Sequence, residues 1–109
     1  MFPDRKSKKM KRQSLNDGSW FDMDSSEFFE EKKQFNGKNY ISKATDDQWE
    51  HERLYRTKGG NWVLHHWSQW EGGEEWWEKV DSESAAKWLI KNEYEPHDSC
   101  RDEYLRQEI

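Results

Sequence analysis

The amino-acid sequence predicts an α+β fold, in which an antiparallel β-meander of three to five strands is packed by one C-terminal helix. The first observation is a stretch, residues 53–80, that places five tryptophans within sixteen residues around two Gly-Gly pairs. Strands joined by tight glycine turns give this pattern. The second is Asn36-Gly37, a strong hairpin signal, and the third is a capped apolar stripe over residues 82–92, which predicts a helix.

Residues 1–19 are predicted to form a disordered basic arm. They lack hydrophobic periodicity and carry a net charge of +4, whereas the rest of the chain carries −9. A basic arm on an acidic body places any attraction to phosphates in the arm. Its candidate phosphate contacts are Lys6, Lys8, Lys9, Lys11 and Arg12.

Residues 25–35 carry two conflicting signals. Residues 24–27 are typical of a capping box, and Phe28 and Phe35 lie at helical spacing. Against a helix, Asn36-Gly37 can supply the two positive φ values of a type I′ turn, which predicts a strand ending at Phe35 and pairing with residues 39–44. The hairpin is favoured, although the sequence leaves both structures open.

Three strands are predicted at about residues 49–57, 61–70 and 75–80. If each Gly-Gly pair is a two-residue loop, Thr57 faces Trp62, Tyr55 faces Leu64 and Gln69 faces Trp76. Since side chains alternate along a strand, this register sorts them into two faces. One face would hold Tyr55, Thr57, Trp62, Leu64, His66, Trp70 and Trp77, and the other Leu54, Arg56, Val63, His65, Trp67, Trp76 and Val80.

The helix predicted over residues 82–92 is only about 15 Å long, so it can cover one sheet face and not two. Residues 20–92 are therefore expected to form a single small domain. Residues 93–109 are expected to form a polar tail with a short, weakly held helix after Asp98.

The second sheet face is the feature with functional weight. Exposed apolar patches mark interaction sites, and tryptophan and tyrosine are enriched at binding hot spots. The predicted interaction face comprises Tyr55, Trp62, Leu64, Trp70 and Trp77. Three alternatives remain for what covers it: the N-terminal phenylalanines, a second copy of the chain, or another partner.

No catalytic residue, metal site or cofactor is predicted. His65 and His66 are adjacent on a strand and point to opposite faces, so they cannot easily share one ion. His97 and Cys100 lack a second ligand pair, and the chain has no phosphate-binding glycine loop or nucleophile elbow. Cys100 lies in a polar stretch, which does not favour an activated thiolate.

The sequence therefore predicts a non-enzymatic protein-interaction module that self-associates through an aromatic sheet face. The alternatives are a regulatory protein that binds nucleic acid through its basic arm or mimics nucleic acid with its acidic body, and a small enzyme or metal-binding protein. A cytoplasmic location is expected, because the single cysteine excludes an internal disulfide and no secretory signal or membrane-spanning run is present.

Two resemblances add to this interpretation. The core string from Leu54 to Trp70 resembles a motif of small uncharacterised bacterial proteins, often of plasmid or mobile-element type, and the similarity extends over residues 36–92. It implies a bacterial source and a compact domain. No activity is attached to these proteins, so the resemblance supplies no catalytic residues. The predicted element order is also similar to that of double-stranded-RNA-binding domains, but Asp81 to Ser84 stand where that family has lysines.

Overall fold

A computed structural model of the chain describes residues 11–70 and 72–109. Within them lie eight strands, two α-helices and two 3₁₀ turns, at Met23–Ser25 and Asp98–Cys100. The strands are β1 Arg12–Ser14, β2 Trp20–Asp22, β3 Glu27–Glu30, β4 Lys33–Phe35, β5 Tyr40–Ser42, β6 Glu50–Arg56, β7 Trp62–Ser68 and β8 Trp76–Val80, and the helices are α1 Ser82–Lys91 and α2 Arg101–Leu105. The predicted α+β class is confirmed, with more strands than predicted.

The central element is a four-stranded antiparallel sheet in the order β3-β6-β7-β8. The hairpins β1–β2 and β4–β5 each form a separate two-stranded sheet. The meander β6-β7-β8 matches the prediction from the two Gly-Gly pairs. The strand from the ambiguous segment, β3, joins it beside β6.

The predicted register of the meander is wrong by one residue between β6 and β7 and by three residues between β7 and β8, where His66 rather than Gln69 pairs with Trp76. Tyr55 pairs with Val63 and Arg56 pairs with Trp62, because the loop after Thr57 has three residues rather than two. The Thr57 N–H donates to the Asn61 carbonyl at 2.8 Å, and Gly60 takes the positive φ of 86° that ends such a loop. Since the side-chain period is two, this shift moves the side chains of β7 to the opposite face relative to β6.

Helix α1 covers the face of the sheet that carries Leu54 and Trp62, which we call the helix side. The predicted bounds of this helix are confirmed. The Asp81 side chain caps it by accepting the Ser84 N–H, and the helix ends at Asn92. Its apolar stripe packs on Leu54 and Trp62, which are 0% and 2% exposed. The aliphatic and tryptophan side chains on this face thus form the main core.

Residues 93–109 belong to the domain rather than to a loose polar tail. Cys100 is fully buried in the main core, and the Tyr104 hydroxyl donates to the Tyr94 carbonyl at 2.6 Å. The prediction of a short helix is confirmed by α2. The prediction that this segment is weakly held is wrong. It was based on the many charged residues and not on the few residues, such as Cys100 and Tyr104, that pack on α1.

The β1–β2 hairpin packs on the opposite face of the sheet, which carries Tyr55 and Val63 and which we call the second face. Phe21 is 5% exposed and meets Tyr55 edge-on, with 5.3 Å between ring centroids. The predicted disorder of residues 1–19 therefore does not extend to residues 11–19, since three residues of β1 pair with β2 and bring Phe21 onto the sheet. Residues 1–10 lie outside the described part of the chain.

The Asn36-Gly37 signal does mark a hairpin, β4–β5, and residues 27–35 form strands rather than a helix. The turn differs from the predicted type I′ geometry. Phe35 pairs with Tyr40, the Asn36 N–H donates to the Asn39 carbonyl, and only Gly37 has a positive φ. The Asn36 side chain instead accepts the N–H groups of Lys38 and Asn39.

Candidate functional site

The β1–β2 hairpin covers only part of the second sheet face. Its buried cluster comprises Phe21, Tyr55 and Val63. Other aromatic side chains stay accessible: Phe28, on β3 opposite Tyr55, is 56% exposed, and at the start of β6 and the end of β7 Trp49 is 38% and Trp70 59% exposed. We call this area the open aromatic surface; it comprises Phe28, Trp49, Arg53, Trp67 and Trp70.

Arg53 lies at the centre of the open aromatic surface. Its guanidinium carbon lies 5.4 Å from the Phe28 ring centroid and 5.5 Å from that of Trp67, within cation–π range. Glu30 holds the same guanidinium from the neighbouring strand by two hydrogen bonds of 2.8 and 2.9 Å. Such a fork fixes the side chain and neutralises its charge.

Trp49 and Trp70 form the end of the surface. Their ring centroids lie 4.9 Å apart, and the Gln69 N–H donates to the Trp49 carbonyl, which continues the β6–β7 ladder past the ends of the strands. Trp49 therefore follows the alternation that places His51 and Arg53 on this face. Two large rings are thus held together in solvent.

His51 lies beside this surface against a buried carboxylate. Glu31, whose side chain is 6% exposed, accepts hydrogen bonds from the Ser42 hydroxyl at 2.6 Å, the Glu52 N–H at 2.9 Å and His51 Nδ1 at 2.5 Å. This orients the ring, which stacks on Trp67 with centroids 5.5 Å apart. Within the described residues, the buried Nε2 atom has no hydrogen-bond partner.

A carboxylate-oriented histidine is a common catalytic or metal-binding device, so its surroundings matter. A shallow depression of about 290 Å³ beside it is lined by Glu30, Glu31, Lys33, His51, Trp67 and Gln69. These residues supply no hydroxyl or thiol. Across residues 11–70 and 72–109, no three His, Cys, Asp or Glu side chains are arranged to hold a metal ion.

His65 and His66 each pair with carboxylates of other elements. His65 Nε2 lies 2.7 Å from Glu75, and its ring stacks on Trp77 at 3.5 Å. His66 lies between Glu52 at 3.1 Å and Glu78 at 2.6 Å and stacks on Trp76. A catalytic pairing of Glu52 with His51 or His65 is not formed, because Glu52 binds His66 and the Trp88 indole instead.

These two neighbours titrate in opposite directions. Burial lowers the pKa of His65 below its ordinary value, and the hydrogen bond to Glu75 offsets this only in part. Burial also acts to lower the pKa of His66, but the hydrogen bonds to Glu52 and Glu78 outweigh it and raise that pKa. The lowered pKa therefore leaves His65 uncharged at neutral pH.

The predicted interaction residues do not share one face. Trp62 and Leu64 lie on the helix side, where both are packed on the main core. Tyr55 and Trp77 lie on the second face beneath the β1–β2 hairpin. Only Trp70 belongs to the open aromatic surface. The register error explains the mixture, and the sequence signal that would have corrected it is the glycine at the third position of a three-residue loop.

Of the five candidate phosphate contacts, Lys11 and Arg12 lie within the described residues. Lys6, Lys8 and Lys9 lie outside the described residues. Lys11 is exposed at the start of β1, and the Arg12 guanidinium lies 5.1 Å from the Trp20 ring centroid. Their role in phosphate binding stays a prediction.

Comparisons with known proteins add no family. A scan against protein-family models, a search of curated proteins and a search of solved structures each found no match. Within the described ranges, no helix is long and apolar enough to cross a membrane.

Proposed function

We propose that the protein is a non-enzymatic interaction module that self-associates through the open aromatic surface. The observation that carries this proposal is the partial cover of the second sheet face, which leaves Phe28 accessible beside Arg53 and the Trp49–Trp70 pair accessible at the end of the sheet. Tryptophan and arginine are the residues most enriched at interface hot spots. A contiguous apolar patch on a soluble domain is typical of an interaction site.

A second copy of the chain suits this surface on electrostatic grounds. In a two-fold dimer the same patch meets itself, so a patch of one charge sign would repel its partner. Arg53 is neutralised by Glu30, and the aromatic residues carry no charge. The open aromatic surface can therefore face itself, although the molecule as a whole carries a net charge of −5.

Sedimentation velocity over a concentration series tests this proposal. The wild type should associate reversibly in the micromolar range. The double variant Trp49→Ser/Trp70→Ser should weaken association by about tenfold or more, as expected for hot-spot tryptophans. Both side chains are already exposed, so the variant should fold normally, as circular dichroism can verify.

Trp20→Ser is the matched control, because Trp20 is 50% exposed but lies on the β1–β2 hairpin. It should leave association unchanged. A wild type that stays monomeric up to about 100 µM would overturn the proposal, since hot-spot contacts of this kind give at least micromolar affinity. Equal weakening by both variants would show that the contact does not use the open aromatic surface.

A further inference from the structure

The positive charge of the chain is concentrated in two segments. Residues 1–19 carry a net +4, and residues 32–43 carry four lysines and no acid. The remaining residues, 20–31 and 44–109, together carry −13. The second basic segment coincides with the β4–β5 hairpin. We call residues 32–43 the lysine hairpin.

The tip of the lysine hairpin carries an exposed aromatic pair. Phe35 and Tyr40 face each other across the two strands, with ring centroids 5.2 Å apart. They are 58% and 68% exposed, and every residue from 33 to 40 is exposed. The pair therefore adds little to the core of this chain and presents ring surface to solvent.

The base of the hairpin is firmly attached to the end of α1. The Lys32 N–H donates to the side chain of the fully buried Asn92 at 2.9 Å. Lys43 pairs with Glu93 at 3.0 Å, and Lys91 donates to the Ala44 carbonyl. An anchored base holds the tip in a fixed place, which lowers the entropic cost of binding.

Two lysines of the hairpin are left to contact a ligand. Lys32 lies over the Tyr94 ring and Lys43 is paired with Glu93. Lys33 and Lys38 have no acidic partner within 4 Å among the described residues. They flank the aromatic pair, Lys33 toward the base and Lys38 in the turn.

We propose that the lysine hairpin is a binding site for single-stranded nucleic acid, in which Phe35 and Tyr40 stack on unpaired bases and Lys33 and Lys38 contact phosphates. Proteins that bind single strands without sequence preference combine aromatic platforms with basic side chains in this way. Duplex bases are already stacked on each other, so the exposed rings favour a single strand. The acidic body confines the contact to the hairpin and the basic N-terminal segment.

Fluorescence anisotropy with a labelled oligo-dT of about twelve nucleotides, titrated with the full chain at low salt, tests this site. Phe35→Ser/Tyr40→Ser should weaken binding by about tenfold or more, because each stacked base contributes strongly. Lys33→Ser/Lys38→Ser should reduce the slope of log affinity against log salt by about 1.4, the value for two phosphate contacts on a single strand. A duplex of the same length should bind more weakly.

Two controls separate this site from the other surfaces. Lys58→Ser/Lys87→Ser removes two exposed lysines elsewhere and should leave the affinity unchanged. Trp49→Ser/Trp70→Ser should also leave the oligonucleotide affinity unchanged, so the test of this site does not depend on self-association. Deletion of residues 1–10 should weaken binding while leaving the effect of the hairpin variants intact.

Three results would overturn the proposal. The first is no measurable oligonucleotide binding at low salt. The second is binding that is abolished by deleting residues 1–10 and indifferent to the hairpin variants, which would assign it to the N-terminal segment alone. The third is a hairpin variant that changes sedimentation but not oligonucleotide affinity, which would make the hairpin a protein contact.

Discussion

His65 and His66 are neighbours on β7, yet the fold gives them opposite preferences for a proton. Alternation along the strand sends His65 to the second face and His66 to the helix side. His66 gains two carboxylates, from β6 and β8, whereas His65 gains only the half-exposed Glu75. The difference lies in the partners that each face supplies, because both rings are similarly buried.

The raised pKa of His66 predicts a loss of stability as the pH rises above about 6.5. A group whose folded pKa exceeds its unfolded value of about 6.5 stabilises the protein fully below that pH. This contribution is lost as the pH rises through the folded pKa. We expect the wild type to lose about 1 kcal/mol in this window, since Glu78 is half exposed and such pairs are screened.

Urea unfolding at several pH values, with His66→Gln as the variant, measures this effect. The variant should lack the loss above about pH 6.5, and unchanged pH dependence would contradict the assignment. His65→Gln is the comparison. The lowered pKa of His65 costs stability as the pH falls below about 6.5, so its removal should reduce the loss on the acid side instead.

The junction between the lysine hairpin and α1 depends on one buried amide. The Asn92 side chain accepts the Lys32 N–H at 2.9 Å and donates to the Trp88 carbonyl at 3.0 Å. Its side chain is fully buried, so both of its hydrogen bonds are made inside the protein rather than to bulk solvent. Asn92 therefore both ends the helix and fixes the hairpin.

Asn92→Ala should destabilise the protein by about 1–3 kcal/mol, because it leaves the Lys32 N–H without its partner and removes the second donor to the Trp88 carbonyl. Asn39→Ala, in the exposed hairpin turn, is the matched control and should change stability by less than about 0.5 kcal/mol. Denaturant midpoints measure both effects. A small, equal effect of the two substitutions would mean that the junction is not held by this amide.

Local signals predicted most of the elements correctly. The Asp81 cap and the apolar stripe determined α1, and Asn36-Gly37 determined a hairpin whose turn type came out differently. The loop at Gly59-Gly60 was ambiguous, because a glycine pair fits a two-residue turn as well as the end of a three-residue loop. That single residue decided which side chains of β6 and β7 share a face.

The contacts that build the candidate site were beyond sequence reasoning. Glu31 and His51 are twenty residues apart, and the Arg53 fork joins a strand that also looked helical in sequence. No periodicity links such partners. The cover by Phe21 was among the alternatives, but its extent depends on where a short hairpin comes to lie on the sheet.

The arrangement of the molecule as a whole separates three kinds of surface. The helix side is filled by Trp62 and its neighbours, the second face is half covered by the β1–β2 hairpin, and the lysine hairpin carries one of the two basic segments. The proposed self-association uses the uncovered aromatic residues, and the proposed nucleic-acid contact uses the lysine hairpin. Variants of one surface should therefore leave the other unaffected.

Oxidative footprinting of the tryptophans, read by mass spectrometry over a concentration series, tests whether the protein self-associates through the open aromatic surface. Between about 1 and 100 µM, the oxidation of Trp49 and Trp70 should fall as copies associate at micromolar affinity. The oxidation of Trp20 and Trp76, which are 50% and 41% exposed, should not change with concentration, and Trp62 should be protected at every concentration. If Trp49 and Trp70 stay fully reactive at every concentration, the protein does not self-associate through the open aromatic surface.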